Sequence, residues 1–176
     1  MKRIFIFMPV IFLFSSVSIF HPPSNDWKAR NRDSISIYEY GQIRSGAPCE
    51  ILRGLAFAES SGGKNITHTD PMDRGWFGLH EDRHLRAERI WRWGEYDPDD
   101  PCQAAVIAGH IIMRNYKYFI GVRKACINQL HGEAMRELDS PMDQSISAYN
   151  QGISGYHRRG LNSAYVDMVR RGANGR

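Results

Sequence analysis

The sequence predicts a mainly α domain with at most a small β-hairpin. Three observations point there. Apolar residues recur at helical spacing in several segments. Those segments are bounded by residues that start and stop helices. No run alternates apolar and polar residues in the way a half-buried strand requires.

Taken in order, a first helix is expected over residues 48–61, where Ile51, Leu52, Leu55, Ala56 and Ala58 make an apolar stripe. Gly62-Gly63 ends it. Residues 65–78 are rich in Thr, Asp, Gly and Pro and read as a loop, the one place for a hairpin. A second helix is expected over 84–93, stopped by Gly94. The third has the clearest start, with Asp100 as N-cap, Pro101 as first helical residue and Gln103 as capping-box partner. It runs through Val106, Ile107, Ile111 and Ile112 to about residue 119 and should be central, with Gly109 allowing close helix packing. A fourth spans 124–138. Ser140 caps a fifth over 141–150, and Asn162 caps a last one that turns Tyr165, Val166 and Val169 inward. There is no internal repeat.

The chain divides into residues 1–20, 21–47 and 48–176. In the first part Lys2 and Arg3 precede an apolar run, 4–20, broken only by Pro9, Ser15, Ser16 and Ser18. A basic start and such a run describe a secretory signal. The run is short beside the ~20 apolar residues of a usual membrane span, yet it could serve as an uncleaved anchor. Ser16-Val17-Ser18 offers a small-x-small cleavage site, and no Cys lies near the end of the run to carry lipid. Residues 21–47 are polar, include Pro22-Pro23 and read as a leader. The catalytic-domain candidate is then 48–176, long enough for one core.

A composition of 42% hydrophobic and 24% charged residues excludes disorder over most of the chain. The formal charge is +4, and loss of Lys2 and Arg3 leaves +2. Such mild basicity does not suggest nucleic acid, which calls for a concentrated basic face. Arg83, Arg86, Arg89 and Arg92 would stripe one helix, and a solvated face is favoured there over a contact surface for an anionic polymer. Cys49, Cys102 and Cys126 would let two pair and one stay free in an oxidising compartment; the spacing chooses no pair. Asn65-Ile66-Thr67 fits a glycosylation sequon and is read as incidental.

Glu59 is the residue with chemical promise. Leu55 and Ala56 lie one turn before it, so it sits on or beside the apolar stripe, close to the double glycine. A carboxyl group in apolar surroundings resists ionisation, which suits a general acid working near neutral pH.

Its context sharpens this. Glu59-Ser60-Ser61-Gly62-Gly63-Lys64 is succeeded by Asp73-Arg74-Gly75-Trp76-Phe77-Gly78-Leu79, then by Ala148-Tyr149-Asn150-Gln151-Gly152 and Tyr165-Val166. The ordered set resembles the lytic transglycosylase and goose-type lysozyme superfamily, over about residues 49–171. The resemblance implies a lysozyme-like fold, the soluble lytic transglycosylase type of catalytic domain, with peptidoglycan glycan strands as substrate and no cofactor or metal. It also implies a periplasmic or otherwise exported location in a bacterial cell envelope, with cell-envelope proteins as further partners.

The resemblance also assigns roles by position. Glu59 would be the catalytic acid and then base, and Ser60 would orient it or the substrate. Gly78 and Leu79 would form cleft wall where backbone approaches sugar. Tyr149 and Asn150 would line the opposite side, with Tyr149 hydrogen-bonding near the carboxylate. Tyr165 would close the pocket, with core packing an equal alternative. Trp76, Trp91 and Trp93 could stack on sugars or fill the core. One departure stands out: the family's L-M-Q is Leu79-His80-Glu81 here, and Glu81 could accept from a sugar hydroxyl but not donate to one.

The resemblance implies a transglycosylase that works with one carboxyl group. Glycoside hydrolysis commonly needs two, and Asp73, in an Asp73-Arg74-Gly75 segment like that of goose-type lysozymes, is the candidate second carboxylate of a hydrolytic muramidase. Arg74 or solvent could instead neutralise Asp73. Two other classes remain. His80-Glu81-Asp82-Arg83-His84 matches the H-E-x-x-H pattern of zinc hydrolases, although charged residues fill its middle and Ala87 and Ile90 break the longer metzincin pattern. A non-catalytic peptidoglycan-binding module is the other; the intact Glu59 argues against it.

Overall fold

The computed structural model describes residues 35–81, 97–127 and 139–175. The signal or anchor segment 1–20, the helix expected over 84–93 with its arginine stripe, Trp91, Trp93 and the later part of the helix expected over 124–138 lie outside them, as does the side chain of Cys126. Among the described residues the chain is mainly helical, with six helices and one two-stranded antiparallel hairpin.

The first helix, α1 (Ile37–Ser45), falls in the segment expected to be a polar leader. Ser36 caps it and Glu39 completes a reciprocal capping box, while Gly46 closes it in a left-handed conformation. Tyr40 and Gly41 are buried. A Cβ at Gly41 would lie 2.6 Å from Leu52 Cδ1 and 3.1 Å from Ala105, so α1 packs directly on the next two helices. The folded domain therefore begins before residue 48.

Helix α2 (Cys49–Ser60) buries Ile51, Leu52, Leu55 and Ala56, the stripe read from the sequence. Helix α3 (Pro101–Ile127) is central. Its residues 104–108 are buried on every side, as expected of a helix enclosed by others. Asp100 caps it through Oδ1, which accepts from the Cys102 and Gln103 amides. The Gln103 side chain accepts instead from the Asp97 amide, 3.2 Å away, so it does not complete a capping box with Asp100. Gly109 faces Ser45 at the end of α1, where a Cβ would collide with its hydroxyl. The expected break near residue 120 is absent. Gly121 stands exposed inside α3, where a single glycine costs about 1 kcal/mol relative to alanine and does not stop a helix.

Helix α4 (Pro141–Gln151) is capped by Ser140. The short α5 (Ile153–Arg159) has no counterpart in the sequence reading; it lacks a side-chain cap and an apolar stripe. Helix α6 (Ser163–Ala173) starts at Asn162 and buries Tyr165, Val166 and Val169. It lies tight against α2: a Cβ at Gly54 would overlap the Val169 carbonyl, and one at Gly172 would come 2.5 Å from Phe57 Cβ. These two glycines let the backbones of α2 and α6 approach, which brings the end of α2 beside the start of α6.

The hairpin pairs β1 (Asp73–Arg74) with β2 (Leu79–His80). Asp73 stands opposite His80 and Arg74 opposite Leu79. Cys49 and Cys102 carry thiols and are not bridged to each other. No helix of the described residues is long and apolar enough to cross a membrane.

Candidate active site

Glu59 is the penultimate residue of α2, and the chain turns away immediately after it. Ser61 takes a left-handed conformation (φ 54°) and Gly62 continues the turn at φ 71°. The buried Ser60 fixes the course of the loop beyond the turn. Its hydroxyl lies 2.9 Å from the Ala56 carbonyl and 2.8 Å from that of Trp76, and it accepts the Gly63 amide at 2.9 Å. Ser60 thus ties the loop to the helix end through backbone groups, instead of presenting its hydroxyl to a substrate. Trp76 packs on the core, with Gly63 against its ring.

The loop returns beneath Glu59 at Gly78. A Cβ there would lie 2.5 Å from Glu59 Oε2 and 3.0 Å from its Cδ, and the backbone has φ 54°. Both facts require glycine. The carboxyl group of Glu59 is by itself a sufficient reason for this glycine. Leu79, expected in the cleft wall, is fully buried in the hydrophobic core, so its side chain forms no part of an open cleft.

The other side of Glu59 is formed by α6. The Tyr165 hydroxyl donates to Glu59 Oε1, while the ring is 8% exposed and packs in the core. The core-packing alternative for Tyr165 is what the structure shows, and the same residue reaches the carboxylate. Burial first, then the neighbouring Glu59, push its own ionisation well above the usual tyrosine range, so it acts as a donor. Tyr149, expected near the carboxylate, donates to the Phe77 carbonyl at 2.7 Å. It therefore serves Glu59 indirectly, by holding the backbone one residue before Gly78. Asn150 is exposed at the end of α4, with Oδ1 accepting from Asn162 Nδ2 at 3.1 Å.

The result is a carboxyl group whose pKa is raised from 4.5 to about 7. Desolvation is the main cause, the Tyr165 hydrogen bond opposes it, the negative field of Asp73 adds to it and His68 opposes it. Asp73 thus acts on Glu59 through its charge. The Arg74 guanidinium pairs with Asp99, a different carboxylate from the one the sequence suggested for it. Glu81 is half-buried and its amide donates to the Met72 carbonyl at 3.0 Å, which extends the hairpin edge.

His80 lies in β2, with Nε2 3.5 Å from Asp70 Oδ2. The H-E-x-x-H reading needs its first histidine on a helix, one turn before the second, and His80 is on a strand. His84 lies outside the described residues.

Two contributors escape the sequence reading. His68, whose Nε2 is 2.8 Å from the Gly75 carbonyl, carries no signal in a polar loop. Asn162 reads only as a cap, and its second link to Asn150 depends on a helix junction that spacing does not describe. Comparison of the chain with protein-family models, with curated proteins and with solved structures returned no match.

Proposed function

We propose that this protein is a peptidoglycan lytic transglycosylase that cleaves the β-1,4 bond between N-acetylmuramic acid and N-acetylglucosamine, with Glu59 as sole acid and base. The observation that carries the reading is the carboxyl group of Glu59, held by Tyr165, seated over Gly78 and poised at a pKa of about 7. A group with this proton affinity is available in both states near neutral pH, which a residue that must first give and then take a proton requires. The ordered motifs around Glu59, Gly78 and Tyr149-Asn150 support the same reading.

In the first step protonated Glu59 gives its proton to the bridging oxygen, and the bond from that oxygen to the muramic anomeric carbon breaks. The substrate's own N-acetyl group stabilises the positive centre. In the second step the Glu59 carboxylate takes the proton of the 6-hydroxyl, whose oxygen bonds to the anomeric carbon and closes a 1,6-anhydro ring. No water enters and Glu59 ends protonated, as it began. Tyr165 keeps Oε1 in place throughout, which leaves Oε2 as the oxygen to exchange the proton.

One observation favours a second reading. The field of Asp73 reaches Glu59, so a hydrolytic muramidase in which Asp73 assists an attacking water is the alternative. Mass spectrometry of digested sacculi separates the two: anhydro-muropeptides, each one water lighter, are expected, and reducing ends alone would establish the hydrolase. Glu59→Gln should abolish lysis and retain sacculus binding. A wild-type protein that binds sacculi without cutting them would make it a binding module. The substrate places the protein in the bacterial periplasm or elsewhere in the cell envelope.

A further inference from the structure

We propose that Asn162 is a positioning residue for Glu59: it fastens the first turn of α6 to the end of α4 and thereby fixes where the Tyr165 hydroxyl meets the carboxylate. The inference rests on Glu59 being the reacting group.

Tyr165 is the third residue of α6, so its hydroxyl goes where the first turn of that helix goes. Asn162 controls this turn with four hydrogen bonds. Oδ1 accepts the Tyr165 amide at 3.3 Å and the backbone carbonyl accepts the Val166 amide at 3.0 Å. These two are what a helix cap needs. The other two lead elsewhere: the Asn162 amide donates to Ser147 Oγ at 2.8 Å, and Nδ2 donates to Asn150 Oδ1 at 3.1 Å. Ser147 is fully buried, and its hydroxyl also accepts from Gln151 Nε2 at 2.8 Å. The same Gln151 group spans to the Gly160 carbonyl at 2.8 Å.

The destination matters because α4 also carries Tyr149, which holds Phe77 next to Gly78. Both surfaces that touch the Glu59 carboxylate, Gly78 on one side and Tyr165 on the other, are thus referenced to residues 147–151. Asn162 supplies the link on the Tyr165 side. Asn150, read from the sequence as a sugar contact, is the other half of that link.

The groups that act on Glu59 are Tyr165 from α6, Asp73 from β1 and His68 from the preceding loop. Of these, only Tyr165 moves with Asn162. The test is a pH titration of 13Cδ-labelled glutamate by NMR on the free protein, with Glu59 assigned by its loss in Glu59→Gln. Asn162→Ala should raise the proton affinity of Glu59 roughly tenfold, the effect of weakening one hydrogen bond to a carboxylate. On glycan strands it should lower kcat with little change in KM. Asn162→Ser keeps an acceptor for the Tyr165 amide and should show a smaller rise. If Asn162→Ala does not fold, Asn150→Ala, which deletes the tie and spares the cap, should raise the affinity severalfold. Wild-type titration of Glu59 in the folded variants, with only stability lost, would reduce Asn162 to an ordinary cap and overturn the inference. The titration needs no substrate, so a wild-type protein that fails to cut glycan strands counts against the proposed function and leaves this inference to the NMR result.

Discussion

Replacing Glu59 with Gln should make the protein more stable while disabling it, and the gain should depend on pH in a fixed way. Below pH 4.5 the carboxyl group is protonated in both folded and unfolded chains, and it contributes no pH dependence. As the pH rises past 4.5 the unfolded chain gives up this proton, while the folded chain, with its pKa raised to about 7, keeps it. The unfolded state then binds fewer protons, so wild-type stability falls with pH. The fall ends near pH 7, where the folded site ionises too. At about 1.4 kcal/mol per tenfold change in proton affinity, the total is about 3 kcal/mol. The substituted glutamine has no proton to lose, and its amide oxygen can still accept from Tyr165. Urea denaturation of both proteins from pH 4 to pH 8.5 measures the difference. The advantage of Glu59→Gln should grow by about 3 kcal/mol across pH 4.5 to 7 and then level off, equivalent to about 10 °C in Tm for a domain of this size. A difference that stays constant with pH would refute the argument that burial sets the proton affinity of Glu59.

Three further outcomes are expected. Tyr165→Phe removes the donor that favours the carboxylate form, so the alkaline limb of the lytic pH profile should move upward; an unmoved limb would mean that the hydroxyl does not tune Glu59. Gly78→Ala forces a Cβ to within 2.5 Å of Glu59 Oε2 in a left-handed backbone; it should cost about 1–2 kcal/mol in denaturation and lower kcat by about 100-fold, and near-normal kcat would place the carboxylate elsewhere. Ser36→Ala breaks the capping box of α1 and should cost about 1 kcal/mol in thermal unfolding, whereas an unchanged Tm would mean that α1 is not part of the cooperative fold.

Much of the fold was legible because its signals were local. The stripe on α2, the Asp100-Pro101 start, the Ser140 cap and the Asn162 cap each need only a few neighbouring residues to be read. Helix α1 carries an equally local signal, Ser36 and then Glu39, but its face is mixed. Only Tyr40 and Gly41 are buried there, so no apolar stripe rises above the polar composition. The break expected between residues 119 and 124 is absent because the later turns continue a helix already anchored by its buried half. In the site, the grouping of Glu59 with Gly78 and Tyr165 was readable. The division of labour was not. Whether Tyr149 meets a carboxylate or a carbonyl, and whether Ser60 faces sugar or backbone, depends on where a loop crosses a helix end. That crossing is set by close contacts such as Gly54 on Val169 and Gly63 on Trp76, which no spacing in the chain announces.

The bond between Tyr165 and Glu59 joins residues 106 positions apart. Closing a contact of such long separation costs more chain entropy than forming a local helical turn. A chain made from its N-terminus completes Glu59 long before it reaches Tyr165. Until α6 docks, the carboxyl group lacks the Tyr165 donor and whatever part of its burial α6 supplies. The order of residues along the chain therefore sets the order in which the surroundings of Glu59 are completed: the donor to its Oε1 arrives only with α6.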